Sequence, residues 1–167
     1  MNSIFGATRI GQALHTEHMR TMEHLDALES LIASRRPPAP EAATATLEGI
    51  ARALDEDVTR HFAFEEEHLF PRLHDAGAGF MVDMLTGEHA EIRPLAESLR
   101  DACRALAGGG FDANLWESFR ADARDLIDRE TFHIQKEEMG LLAALSQVLD
   151  AEEDGALADR HAALTAE

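Results

Sequence analysis

The run His61-Phe62-Ala63-Phe64-Glu65-Glu66-Glu67-His68-Leu69-Phe70-Pro71 has a helical rhythm and sets a histidine four residues before a glutamate. Residues at i and i+4 lie on one helix face, a turn apart. An imidazole and a carboxylate stacked that way can both reach one metal ion, or the carboxylate can reach across to a second. One such pair arises easily by chance in an acidic helical chain. A second copy, His133-Ile134-Gln135-Lys136-Glu137-Glu138, gives it weight.

Outward from these two motifs the chain reads as all-α. Ala, Leu, Glu, Asp and Arg dominate, β-branched residues are sparse, and no segment alternates with period two. A first helix is expected from Ile4 or Thr8 to Ser34, with Leu14, His18, Met22, Leu25, Leu28 and Ile32 facing inward. Pro37, Pro38 and Pro40 forbid its continuation. A second, Glu41 to His74, carries Leu47, Ile50, Leu54, Val58, His61, Glu65 and Leu69; Pro71 should kink or end it, and Gly77 and Gly79 should form the turn. A third, Phe80 to Ala107, carries Leu85, His89, Ile92, Ala96, Leu99, Cys103 and Leu106, with a bend expected at Pro94. Gly108, Gly109 and Gly110 stop it. A fourth, capped by Asp112 and running to Leu149, carries Leu115, Phe119, Ala123, Leu126, Glu130, His133, Glu137, Leu141, Leu145 and Val148. Short connections between long helices predict an up-down-up-down antiparallel four-helix bundle. The chain is expected to be one domain, with a core of about residues 8–150 and a tail over 151–167 that forms a short extra helix from about Gly155 or frays.

The two halves look alike. Glu17-His18 parallels Glu88-His89; His18 to His61 spans 43 residues, and His89 to His133 spans 44. This suggests a helix pair repeated about a pseudo-twofold axis. His18, His61, Glu65, His89, His133 and Glu137 fall on inward positions. Ionisable groups buried without partners are costly, and a metal centre supplies the compensating charge. Imidazole and carboxylate without sulfur suit iron, manganese or zinc. Four His and two Glu exceed what one tetrahedral zinc takes. The expected arrangement is two ions: His18 and His61 on one, His89 and His133 on the other, Glu65 and Glu137 bridging with an oxo or hydroxo group. Positions then stay free for a small ligand.

Composition bounds the rest. The chain has 167 residues, 45% hydrophobic and 28% charged, enough for one domain with a full core. A net charge of −17 disfavours nucleic acid and anionic membranes as partners. A lone cysteine, Cys103, excludes an internal disulfide and cysteine-based metal sites. It reads as a small buried residue. The stretch Met1 to Gly11 lacks a basic region followed by an apolar run, and no apolar segment reaches the length of a membrane span, so a cytoplasmic protein is expected. The sequence has no His-Glu-xx-His, no nucleophile elbow and no phosphate loop.

These residues resemble the hemerythrin-like family, the His-His-Glu cation-binding domains, from about Leu14 to Val148. Glu17-His18, His61-Phe62-xx-Glu65-Glu66-xx-Leu69-Phe70-Pro71, Glu88-His89 and His133-xxx-Glu137-Glu138 carry the likeness. The resemblance implies a four-helix bundle with a non-haem di-iron centre that binds O₂ or, in some branches, nitric oxide or peroxide. Two departures matter. Where the oxygen carriers place a further histidine, this chain has Arg93, which is always protonated and cannot ligate. The carriers' last acid lies five residues after the last histidine; here Glu137 is at four and Glu138 at five, Glu137 fitting the face better. The four-His, two-Glu set is similar to bacterial proteins linked to nitric-oxide response and iron-centre repair; the cysteine-containing N-terminal domain those often carry is not expected here, so that repair role is not implied.

Among the other ionisable groups, His15 is an alternative to His18, and His68 a residue beside the site. His24, His74 and His161 read as surface. Glu130, one turn before His133, is placed to receive an imidazole N–H. Phe62, Phe64, Phe70 and Phe132 read as core, with some walling the site. Function stands between a protein that binds O₂, nitric oxide or peroxide for sensing, storage or scavenging, a redox enzyme turning over peroxide or nitric oxide, and an iron- or O₂-responsive interaction protein.

Overall fold

The computed structural model describes residues 8–109 and 112–166. Among them there is no strand; the chain is an all-α four-helix bundle with a fifth helix laid against it. The first long helix, α1 (Arg9–Ile32), starts where Thr8 accepts a hydrogen bond from the Gly11 amide. The expected alternative start at Ile4 lies outside the described residues. The second long helix begins at Pro40, whose missing N–H costs nothing in a first turn. It comprises α2 (Pro40–Asp55), α3 (Phe62–Phe64) and α4 (Phe70–Leu73), joined by π-helical turns at Glu56–His61 and Glu65–Leu69. The third, α5 (Gly79–Ala107), runs unbroken through Pro94. The fourth comprises α6 (Ala113–Lys136), a π-helical turn at Glu137–Leu141 and α7 (Leu142–Val148). Asp112 caps it, accepting from the Asn114 and Leu115 amides.

Burial fixes the topology. Ile10 and Leu14 from the start of α1 share one apolar cluster with Leu69 and Leu73 from the end of the second helix. Val82 and Leu85 from the start of α5, and Leu141 and Leu145 from the end of the fourth, complete it. The opposite ends of the same helices, including Leu28, Leu47, Leu99, Trp116 and Phe119, share the other cluster. Only an up-down-up-down arrangement brings those ends together. Each large side chain buried there contributes about 1.5–3 kcal/mol. A layer of polar side chains lies between the two clusters.

Several expectations shift. Pro71 does not end the second helix: a π-helical turn closes at Leu69, directly before α4, and the chain goes on through Pro71. Gly77, at φ +92°, makes the turn into α5, whereas Gly79 is already helical. Gly109, at φ +111°, leaves α5; Gly110 lies outside the described residues. The fourth helix enters the core with Trp116 (1% exposed) rather than Leu115 (40%). Met22 and Val148 are half-buried. Phe132, expected in the core, is 61% exposed.

The fifth helix, α8 (Ala151–Thr165), starts four residues earlier than Gly155. Its signal is a capping box: Asp150 accepts from the Glu152 and Glu153 amides, and Glu153 accepts from the Asp150 amide. Asp154 then accepts from the Arg9 and Ile10 amides, capping α1 with a charge of the favourable sign. Arg72 pairs with Glu153 at 2.9 Å. No helix among the described residues is long and apolar enough to cross a membrane.

Candidate metal centre

Each long helix delivers its own part of the polar layer: His18 from α1, His61 and Glu65 from the second helix, His89 from α5, His133 and Glu137 from the fourth. All six are buried, Glu65 and Glu137 completely. Along the second helix the buried run is His61, Glu65, Leu69 and Leu73; along the fourth it is His133, Glu137, Leu141 and Leu145. These runs step by fours. In a regular α-helix each such step overshoots a full turn by about 40°, so the run would drift off the face. The π-helical turns absorb the drift. Their amide bonds reach five residues back, from Phe70 to Glu65 and from Leu142 to Glu137. Such turns are rare and often mark functional sites.

The side chains form two groups that share both carboxylates. His18, His61, Glu65 and Glu137 make one; Glu65, His89, His133 and Glu137 make the other; within each, one ligand-type atom per residue lies within 4.8 Å of the rest. Glu65 Oε1 is 3.2 Å from His61 Nε2, and its Oε2 is 3.3 Å from His89 Nε2. Glu137 Oε2 is 3.0 Å from His18 Nε2, and its Oε1 is 2.9 Å from His133 Nε2. Each carboxylate therefore offers one oxygen to either half. Despite these distances, none of the four oxygens has a hydrogen-bond partner among the described residues.

A ring of outer carboxylates explains why. Glu138 holds His18 Nδ1 at 2.6 Å, Glu17 holds His61 Nδ1 at 2.7 Å, Glu66 holds His89 Nδ1 at 2.9 Å and Glu88 holds His133 Nδ1 at 2.8 Å. A carboxylate requires a hydrogen on Nδ1, so in the neutral ring the Nε2 lone pair points inward. The Nε2 atoms face each other at 3.3 Å (His18 and His61) and 3.1 Å (His89 and His133). Lone pairs converging beside unpartnered carboxylate oxygens repel unless a cation sits among them. The donor set thus fits a metal in each group, of a type that accepts imidazole and carboxylate.

The electrostatics carry the same message. Burial works against charge on His18, yet the Glu137 and Glu138 carboxylates outweigh it and raise the ring to about 9. His89 rises to about 9 and His133 to about 10 against the same desolvation, through Glu137 with Glu65 and Glu137 with Glu130 respectively. His61 lies well above its ordinary value, and Glu137 well below. A pocket that binds protons this firmly is one whose field awaits positive charge.

The aromatic wall is as expected in part. Phe62 stacks on His89 with ring centres 3.7 Å apart and planes within 5°, and Phe70 lies 5.4 Å from the same ring. Phe64 packs instead against His68 and His161. His15 sits outside the group, 2.8 Å from Glu138. His161 is buried rather than on the surface, 3.0 Å from Glu17. Arg93 turns to Glu66 at 2.8 Å. Glu130 receives no imidazole N–H: its Oε2 has no partner, burial pushes its carboxyl up to about 7, and it lines a cavity of about 20 Å³ with Thr21, His24 and Asp57.

The orienting role of Glu17, Glu66, Glu88 and Glu138 is what reasoning from the sequence missed. The signal was present, since each is the immediate neighbour of His18, Glu65, His89 or Glu137. No curated protein sequence matches the chain. The family model for the hemerythrin HHE cation-binding domain matches residues 9–145, the span that holds all six buried side chains and the four carboxylates around them. The chain belongs to the hemerythrin family of HHE cation-binding domains.

Proposed function

We propose that this chain holds a non-haem di-iron centre and binds a small ligand, O₂, nitric oxide or peroxide, for sensing, storage or scavenging. The observation that carries the proposal is the set of four unpartnered oxygens of Glu65 and Glu137, each within 3.3 Å of a different imidazole Nε2. His18 and His61 would hold one ion, His89 and His133 the other, with Glu65 and Glu137 each offering an oxygen to either. Manganese or zinc would accept the same donors. A bound iron pair supplies redox chemistry and open coordination positions for a diatomic or peroxide.

What the chain itself does is distinct from that chemistry. The outer carboxylates lock the ring orientation and hold the Nδ1 hydrogens. Phe62 and Phe70 cover His89 and keep water from that side. Arg93 stands where an oxygen carrier would place another ligand and pairs with Glu66 instead, so two imidazoles and two carboxylate oxygens are all that each half provides. Such a site is more open than a carrier's, which favours ligand activation or nitric oxide binding over clean reversible oxygen carriage.

Metal analysis after expression in iron-rich medium tests the proposal, with an optical spectrum before and after O₂, nitric oxide and peroxide. Two ions per chain, one for each group, and a spectrum that responds to one of the three ligands are expected. A chain that retains no iron, or whose iron-loaded spectrum ignores all three, refutes it. Steady-state consumption of peroxide or nitric oxide, lost in Glu65→Ala, would assign an enzyme rather than a binder.

A further inference from the structure

The four outer carboxylates each have a second partner, and those partners divide by half. On the His18/His61 half they are histidines: Glu17 Oε1 lies 3.0 Å from His161 Nε2, and Glu138 Oε2 lies 2.8 Å from His15 Nδ1. On the His89/His133 half they are permanent cations: Arg93 Nη2 lies 2.8 Å from Glu66 Oε1, and Lys136 Nζ pairs with Glu88 Oε1. Two helix pairs that match ligand for ligand thus carry a charge pattern that does not match. Histidine is positive only when it takes a second proton, whereas Arg and Lys stay charged throughout the physiological range.

The sign of the effect follows directly. A carboxylate on Nδ1–H makes an imidazole a better donor. A cation on the same carboxylate draws that charge away, and it adds its own positive potential nearby. Both weaken the case for a highly charged metal on the His89/His133 half. Arg93 and Lys136 are 39% and 46% exposed, so solvent screens them and the effect is modest. Glu130, buried three residues before His133, opposes them when ionised, and it is the same in every variant compared below.

We infer that Arg93 and Lys136 are positioning residues that make the two halves of the centre inequivalent, so that the His89/His133 half takes the first electron when the centre is reduced. The electron comes from an added chemical reductant, and no covalent bond changes. The inference rests on the di-iron reading above.

The test is a potentiometric titration of the full iron-loaded chain, with iron content measured for every variant. Arg93→Gln and Lys136→Gln are each expected to lower the first reduction potential by about 59 mV, a tenfold shift for one electron. Arg93→Lys and Lys136→Arg restore it. His15→Gln and His161→Gln, on the carboxylates of the other half, leave the first potential in place. Arg93 and Lys136 are both part-exposed, and their glutamine variants act on different carboxylates, Glu66 and Glu88, so either one carries the test if the other loses iron. A first potential unmoved in the iron-retaining glutamine variants overturns the inference, as does an equal shift of it in the histidine variants. A wild-type chain that takes up no iron refutes the di-iron reading itself, a separate outcome.

Discussion

Replacing Glu65 with Gln changes one charge and one heavy atom at the centre of the molecule, and the geometry says what should follow. The side chain is completely buried, with one oxygen 3.2 Å from His61 and the other 3.3 Å from His89. An amide has the same shape, so the fold should survive, but its NH₂ end donates and cannot ligate. One metal position therefore loses its donor, and the other keeps only a neutral, weaker amide oxygen. At free metal a thousandfold above its dissociation constant, one bound ion stabilises the native state by about 4.1 kcal/mol. For a chain of this length each kcal/mol moves Tm by about 2–4 °C. One ion should thus raise Tm by roughly 8–16 °C, and two by about twice that. Thermal unfolding of each variant, with Fe(II) under anaerobic conditions and with chelator, isolates the metal contribution from any change in the metal-free protein. In Glu65→Gln the metal-dependent rise should fall below half of the wild-type value, with both binding steps weakened. The exposed His74→Gln serves as the control and should match wild type. A full wild-type rise in Glu65→Gln, or loss of one step with the other untouched, would refute a carboxylate shared between two ions.

Metal binding should release protons, because His18 and His89 at about 9 and His133 at about 10 hold them at neutral pH in the metal-free protein. These raised values keep the rings proton-loaded below about pH 9 to 10, so affinity should tighten as pH rises towards 10 and flatten beyond it. Calorimetry in buffers of different ionisation heat should count roughly two to four protons at pH 7; fewer than one contradicts the imidazole assignment. Phe62→Ala removes a ring that is 1% exposed and stacked on His89. A loss of about 3–5 kcal/mol is expected in chemical denaturation, and a loss below 1 kcal/mol would mean the ring is not core. Asp150→Ala should cost about 1 kcal/mol and speed amide exchange in α8 before it touches the bundle; uniform exchange would show that the capping box is not what holds that helix.

The six buried side chains were legible because helical spacing survives in sequence. Leu85, His89, Ile92, Ala96, Leu99, Cys103 and Leu106 keep one unbroken face, and all are buried. The misreadings sit where local spacing is not enough. Leu115 and Trp116 both follow the Asp112 cap, and a one-residue phase choice at a helix start has few residues behind it to settle it. Phe132 is apolar by type, but its neighbour His133 takes the inward position, which leaves the ring outside. His161 gains its burial from Glu17, which lies far away in sequence, and no periodicity reports a contact of that range. The π-helical turns were invisible as such; what they leave in sequence is a run of steps by four, at 61, 65, 69, 73 and at 133, 137, 141, 145, longer than an α-helix keeps on one side. The capping box at Asp150 and Glu153 was readable and would have placed the start of α8 correctly.

The ring of outer carboxylates sets an order in time. Glu17 serves the histidine of the second helix, Glu66 that of the third, Glu88 that of the fourth, and Glu138 turns back to the first. No helix carries a histidine together with the group that orients it. During synthesis, the first helix emerges with an imidazole whose partner has yet to be made, and the circle closes only once residue 138 has left the ribosome. A half-made chain therefore offers an ion little more than loose side chains. Loading becomes a late event, and the metal content of the protein should report on completed folding rather than guide its first steps.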